Sequence, residues 1–184
     1  MYFVVYPPGS CGNMVSAVID STGLISGYRH VTFESDKLKL LQQQYRDTMT
    51  DSDRDEYVRY ISEKYLSVPS HSFEYHVKRK HDFIFLLPNN IETIEWTIQR
   101  IQDILPDTNE YLTLSFVTNI INFCKPHANK IIYVEDILEG KLIEKLKEFI
   151  QTPLNEEFYF AWLSRMKKVY PIGNVAESGL LQQS

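Results

Sequence analysis

The chain has 184 residues, of which 43% are hydrophobic and 23% are charged, and its formal net charge is -5. This length and balance predict one globular domain with a sizeable buried core. The acidic balance disfavours broad, non-specific binding to nucleic acid, because such binding depends on an excess of Lys and Arg.

Cysteine content and hydropathy indicate a compartment. Cys11 and Cys124 are too few for a disulfide framework and suit a reducing environment. No stretch approaches the roughly 18 apolar residues that cross a bilayer, and the apolar start lacks the basic residues that lead a signal peptide. The sequence therefore predicts a cytoplasmic protein without a membrane partner. A single domain over residues 1–184, with a loosely held tail from about 174, is expected.

The first predicted element is a buried strand from Tyr2 to Tyr6, followed at once by the Gly-rich turn "PPGSCGN" and a helix from Asn13 to Asp20. A helix amino terminus offers unpaired N–H groups and the positive end of a dipole, so this turn can hold an anion. It contains no Lys or Arg, so backbone and small polar groups would have to do this. Cys11 at such a position is expected to have a lowered pKa. The alternative is a turn that only joins strand to helix.

The middle of the chain predicts a helix from Ser35 and another from Asp51, which "SVPSHS" ends. Phe73 to Val77 is interpreted as an extended segment. The basic run "VKRKHD" is interpreted as a solvated turn before a buried strand, with a phosphate site as the alternative. "DFIFLL" predicts that strand, and Pro88-Asn89-Asn90 ends it before a helix with isoleucines at helical spacing.

In the last third, an apolar helix ends near Pro126, "KIIYVED" predicts a further strand, and helices follow over Lys141 to Ile150 and after Pro153. Strands that alternate with helices predict an α/β fold, a three-layer sandwich with a mainly parallel central sheet. The ligand crevice of such a sheet lies beyond the carboxyl ends of its strands. The loops expected there are Pro7 to Asn13, Ser70 to Ser72 or Pro88 to Asn90, and Glu135-Asp136.

Three stretches carry a resemblance to a known family. "KIIYVEDILEGKLIEKLKEFIQTPLNEEFYFAW" resembles the part of sulfotransferases in which a strand ends in a Tyr-Glu-Asp-Leu-like tetrapeptide and a helix follows. "PPGSCGNMV" is similar to the family's 5′-phosphosulfate loop, with Gly12 at the family's glycine. "DFIFLLPNNIETIEW" stands in the place of the strand and helix that bind the 3′-phosphate. The resemblance covers most of the chain and implies the sulfotransferase branch of the P-loop fold.

This resemblance implies a phosphate-bearing nucleotide ligand of the 3′-phosphoadenosine-5′-phosphosulfate type, and transfer of a sulfuryl group to a hydroxyl or amine of an unidentified acceptor. His71 is implied as the base, with an ordinary surface histidine as the alternative, and His30 as a second candidate. Glu135 and Asp136 are implied to bond to the loop backbone. The residues implied to bind the nucleotide are Pro8, Gly9, Ser10, Cys11, Gly12, Asn13, Met14, Asn89 and Asn90.

The chain also departs from the family's pattern. The family's basic residue before its Ser-Gly is missing, and its 3′-phosphate Arg falls near Pro88. Losing an Arg costs about 1.5–3 kcal/mol per charge-assisted bond. Either Lys78, Arg79 or Arg100 replaces the charge, or the fold is kept with a different cofactor. The competing class of function is a non-catalytic nucleotide-binding or protein-interaction module.

Two further classes of function are disfavoured. Asn13-Met14 replace the Lys-Ser/Thr pair that a nucleotide kinase needs to bind phosphates and Mg²⁺. No His/Cys cluster has the spacing of metal ligands, so no metal is expected. The oligomeric state stays open, and a homo-oligomer is compatible with the sequence.

Overall fold

The computed structural model describes residues 1–20, 50–104, 107 and 112–169. Its four strands are β1 (Tyr2–Val5), β2 (Ser67–Ser70), β3 (Phe83–Leu87) and β4 (Lys130–Tyr133). They form one sheet in the order β2-β1-β3-β4, and every neighbouring pair is parallel. The predicted helix from Ser35, His30 and the tail from about 174 lie outside the described residues.

Helices precede or follow every strand. The first four are α1 (Gly12–Ile19), α2 (Asp51–Lys64), α3 (Phe73–Lys78) and α4 (Ile91–Ile104). The next four are α5 (Leu114–Cys124), α6 (Val134–Glu139), α7 (Leu142–Lys147) and α8 (Glu156–Val169). A 3-10 turn, Lys125–His127, follows α5 directly.

The core has one apolar cluster on each face of the sheet, because successive strand side chains point to opposite faces. Val4 and Ile84 lie on the face covered by α1, α6, α7 and α8. Phe3 and Phe85 lie on the other face, with α5 and with partly buried side chains of α2, α3 and α4. A parallel sheet buried on both faces explains the continuous apolar runs of β1 and β3. The α/β class with a parallel central sheet is therefore confirmed, and the P-loop fold stays a prediction.

The prediction for the segment after α2 is wrong. The extended segment is β2, which includes Pro69, whereas Phe73 to Val77 is helical and belongs to α3. Pro69 is compatible with a strand because β2 pairs only with β1 among the described strands, and an edge strand tolerates a residue without an N–H. Phe73 and Val77 are four residues apart, so a helix presents both to the same apolar cluster.

The prediction for "KIIYVED" is partly wrong. The strand β4 ends at Tyr133, and Glu135 and Asp136 lie in the first turn of α6. Carboxylates in the first turn complement the positive end of the helix dipole, which favours a helix at this point.

In the described ranges, no helix has both the length and the apolar character needed to cross a membrane.

Candidate functional site

The strand order places a topological switch point, where ligands bind in such sheets, at the carboxyl ends of β1 and β3. From β1 the chain runs to β2 on one side and then crosses to β3 on the other. The helices that follow β1 and β3 pack on opposite faces of the sheet, because α1 belongs to the Val4 cluster and α4 to the Phe3 cluster. Ligands of open α/β sheets bind where the order reverses in this way. Pro7–Cys11, the part of the Gly-rich turn that precedes α1, lies at this position.

The Gly-rich turn folds tightly against α4. Gly9 has a φ of 86° and Cys11 a φ of 66°, both in the left-handed region. The amide of Ser10 donates to the carbonyl of Pro7 at 3.1 Å. A Cβ on Gly9 would overlap the main-chain carbonyl of Thr97, so only glycine allows this approach. The turn therefore packs against the second helix of the crevice.

Beside the turn, the structure brings Tyr6, Gly12, Asn13 and His71 together. The Tyr6 ring covers Gly12, and its hydroxyl donates to Asn13 Oδ1 at 2.8 Å. His71 Nδ1 lies 2.9 Å from the carbonyl oxygen of Tyr6, and the two rings are 4.2 Å apart. Asn13 and His71 are exposed, whereas Gly12 is buried. The predicted base is thus a neighbour of Asn13, the exposed residue of the predicted anion loop.

The amides in the first turn of α1 are unpaired. Cys11 is the N-cap residue but its side chain makes no capping bond, and the first turn holds no carboxylate. In residues 1–20 and the other described ranges, the amides of Gly12, Asn13 and Met14 have no protein acceptor. The Ser10 hydroxyl is also buried without a hydrogen-bond partner there. Met14 is buried, and its side chain is in the core.

A buried cation lies next to the Gly-rich turn. Arg100, in α4, is only 4% exposed, and its guanidinium donates to the carbonyl of Gly9. The guanidinium also lies 5.3 Å from the centre of the Trp96 ring, in cation–π contact. Of the three cations considered from sequence, Arg100 alone is at the turn. Lys78 is the last residue of α3 and Arg79 follows it, just before β3 begins and so at the opposite end of the strands.

Cys11 is not an activated thiol. Its side chain is buried, and its Sγ donates a weak bond to the carbonyl of Gly9 at 3.8 Å. Burial raises the pKa of Cys11, and the charge of Arg100 only partly offsets that increase. The expectation of a lowered pKa is therefore wrong, because desolvation of the thiolate outweighs the helix dipole. Cys124 is a core residue, as predicted, and burial raises its pKa to about 12.

The loop after β3 is held by a carboxylate. The amides of Asn89 and Asn90 donate to Glu135 at 2.9 and 3.2 Å, and Asn90 Oδ1 accepts from the amide of Thr93 at 2.8 Å. The predicted bond from Glu135 to loop backbone is confirmed. Asp136 has no side-chain hydrogen bond to the described residues. Glu135 therefore holds the main-chain amides of Asn89 and Asn90, the two residues that the resemblance implies for the 3′-phosphate.

Comparisons with family models, curated proteins and solved structures found no match to the chain. Within the described ranges, no group of three or more His, Cys, Asp or Glu side chains is arranged to hold a metal ion. Because one fold can host many activities, function has to be argued from the chemistry at the end of α1.

Proposed function

We propose that the chain binds a phosphate-bearing nucleotide and holds one phosphate at the amino terminus of α1. The observation that carries this proposal is the set of unpaired amides at Gly12, Asn13 and Met14, with Asn13 exposed and with no capping side chain or carboxylate in the same turn. Such amides, together with the helix dipole, attract an anion.

Side chains around these amides add donors and charge. Asn13 accepts from Tyr6 through Oδ1, which leaves its Nδ2 as a donor at the exposed end of the site. The Ser10 hydroxyl is a buried donor for which a phosphate oxygen would supply the missing partner. Arg100 provides positive charge behind the Gly-rich turn, where low exposure weakens solvent screening. These features support phosphate binding despite a turn without Lys or Arg.

The nucleotide is proposed from the resemblance of the three stretches to sulfotransferases, and the main contact is to its 5′-phosphate. A 3′-phosphate would have to compete with Glu135 for the amides of Asn89 and Asn90. We therefore expect adenosine 5′-phosphate to bind almost as well as adenosine 3′,5′-bisphosphate, and adenosine itself to bind much more weakly.

Thermal unfolding with each compound tests this proposal. A ligand present at about 100 times its dissociation constant stabilises by roughly 2.7 kcal/mol. Both phosphorylated nucleosides should raise the melting temperature, and adenosine should not. Asn13→Asp should remove the effect, because a carboxylate repels the phosphate yet suits the first turn of a helix. Asn119→Asp makes the same charge change on the exposed face of α5 and should leave binding intact. Equal stabilisation of both variants would refute the assignment.

A second candidate function is sulfuryl transfer, and the orientation of His71 favours it. The carbonyl of Tyr6 can only accept, so the neutral His71 ring carries its proton on Nδ1 and Nε2 is the basic nitrogen. In the reaction Nε2 would take the proton of an acceptor hydroxyl as its oxygen attacks sulfur, and adenosine 3′,5′-bisphosphate would leave. The base would then lie beside the Asn13 end of the phosphate site.

His71→Asn separates catalysis from binding. The Asn side-chain amide can keep a donor near Nδ1 but offers no base. We expect release of adenosine bisphosphate from the phosphosulfate donor, with phenols or alcohols as acceptors, to fall by roughly 10²–10⁴-fold. Nucleotide stabilisation in the same variant should be unchanged. Unreduced turnover in His71→Asn would exclude His71 as the base.

A further inference from the structure

A cavity of about 210 Å³ lies at the amino-terminal ends of β3 and β4, opposite the end of the sheet that carries the Gly-rich turn. His81 and Asn129 come just before these strands along the chain, so the cavity is far from the carboxyl ends that carry the Gly-rich turn. Its lining residues are Val77, Lys80, His81, Phe83, His127 and Asn129.

The lining is rich in donors and contains no carboxylate. Lys80 belongs to a basic run in which Lys78 is paired with Asp51 and Arg79 with Asp55. In the described part of the chain, no carboxylate lies within 4.0 Å of the Lys80 ammonium. Lys80 is thus a cation available to a ligand, unlike its two neighbours.

The backbone and ring packing give the basic side of the cavity a defined shape. Lys80 has a φ of 54°, and its amide donates to the carbonyl of Val77 at 3.0 Å. The His81 ring stacks on Phe3 with centres 4.4 Å apart, and its Nδ1 lies 3.1 Å from Nδ1 of His76. These contacts fix the direction of the His81 ring before any ligand arrives.

We propose that this cavity binds a small organic phosphate monoester. Lys80 supplies charge, and His127 and Asn129 supply hydrogen-bond donors around the phosphoryl oxygens. His81 donates from Nε2 in the tautomer whose Nδ1 accepts from His76. Val77 and Phe83 are the apolar residues of the lining, and they offer the organic part a small contact area. The volume is below the roughly 300–1,000 Å³ of pockets for drug-sized ligands, which favours a small molecule over a nucleotide.

Amide NMR on the ¹⁵N-labelled protein, with phenyl phosphate as the probe, tests this proposal. Saturable shifts are expected at His81 and Asn129, with tighter binding than inorganic phosphate and no comparable shifts from phenol. Signals of Gly12 and Asn13 are read in the same spectra, so binding at α1 is distinguished from binding in the cavity. Absent shifts at His81 and Asn129, or equal binding of phenol or inorganic phosphate, would overturn the proposal.

Two variants complete the test. Lys80→Asn should weaken phenyl phosphate binding at least about tenfold, because it removes a charge-assisted bond, while Asn tolerates the left-handed backbone at this position. Lys168→Gln, an exposed change of the same charge on α8, should leave the affinity unchanged. Equal affinity of Lys80→Asn and the unmodified chain would exclude Lys80 as the anion partner.

Discussion

At the scale of single residues, the candidate site depends on two glycines at positions where the surrounding atoms leave no room for a larger side chain. Gly9 combines a positive φ with close contact to the carbonyl of Thr97. Gly12 lies under the Tyr6 ring, which in turn bonds to Asn13. The position of the unpaired amides therefore follows from two missing Cβ atoms.

Gly9→Ala tests this dependence through stability. The variant should lose about 2–4 kcal/mol in free energy of unfolding, because backbone strain at positive φ adds to overlap with a helix carbonyl. Gly140→Ala is the matched control, since Gly140 has a φ of 95° but only an ordinary 3.7 Å contact to Leu163. It should lose about 1 kcal/mol. Equal losses in urea unfolding would show that the contact with Thr97 does not constrain the turn.

His76 is a residue whose charge state depends on burial. His76 lies in α3 and packs between the rings of Phe3, Tyr75 and His81. Burial lowers the pKa of His76 from 6.5 to about 3, and His81 adds a smaller effect in the same direction. The unfolded chain therefore binds a proton below pH 6.5 that the native chain does not bind until about pH 3. Stability contributed by His76 is complete above pH 6.5 and falls as the pH decreases.

Unfolding measured from pH 7 to pH 4 checks this effect. His76 alone should contribute a slope of about 1.4 kcal/mol per pH unit below pH 6.5. His76→Phe keeps a ring in the same apolar position. In this variant the slope of the unfolding free energy against pH should be smaller by about 1.4 kcal/mol per pH unit, the contribution of one proton. Parallel pH profiles for the variant and the unmodified chain would contradict the buried, neutral state of His76.

At the scale of elements, continuous apolar runs and helical spacing were sufficient to predict most of the fold. β1, β3 and α4 follow from such patterns, because burial on both faces requires uninterrupted apolar strands. β2 was missed because its four residues include Pro69, and edge pairing is not visible in local sequence. α6 begins inside a β-prone run because its acidic first turn favours a helix.

The site was predictable only where it is local in sequence. The Gly-rich turn is predicted by the order of strand, glycine turn and helix. Arg100 reaches Gly9 across 91 positions, and no sequence pattern links the two. The resemblance to sulfotransferases predicted that Glu135 bonds to loop backbone, but it did not name the amides of Asn89 and Asn90 as the donors. The raised pKa of Cys11 was missed, because the extent of burial depends on tertiary packing.

At the scale of the whole molecule, the parallel sheet separates two proposed anion sites. The unpaired amides of α1 lie at the carboxyl ends of the strands, and the cavity beside Lys80 lies where β3 and β4 begin. The first site depends on main-chain donors and the second on side chains, so charge changes at one should not affect the other. Both proposed sites are compatible with a net charge of -5, because the favourable groups are local.

The most direct test of the central claim is a titration of the ¹⁵N-labelled chain with adenosine 5′-phosphate, followed by amide NMR. We expect saturable downfield shifts of the Gly12, Asn13 and Met14 amides as they donate to phosphate oxygens, and no such shifts with adenosine. Amides of α1 that stay unshifted at saturating nucleotide would contradict phosphate binding at this helix.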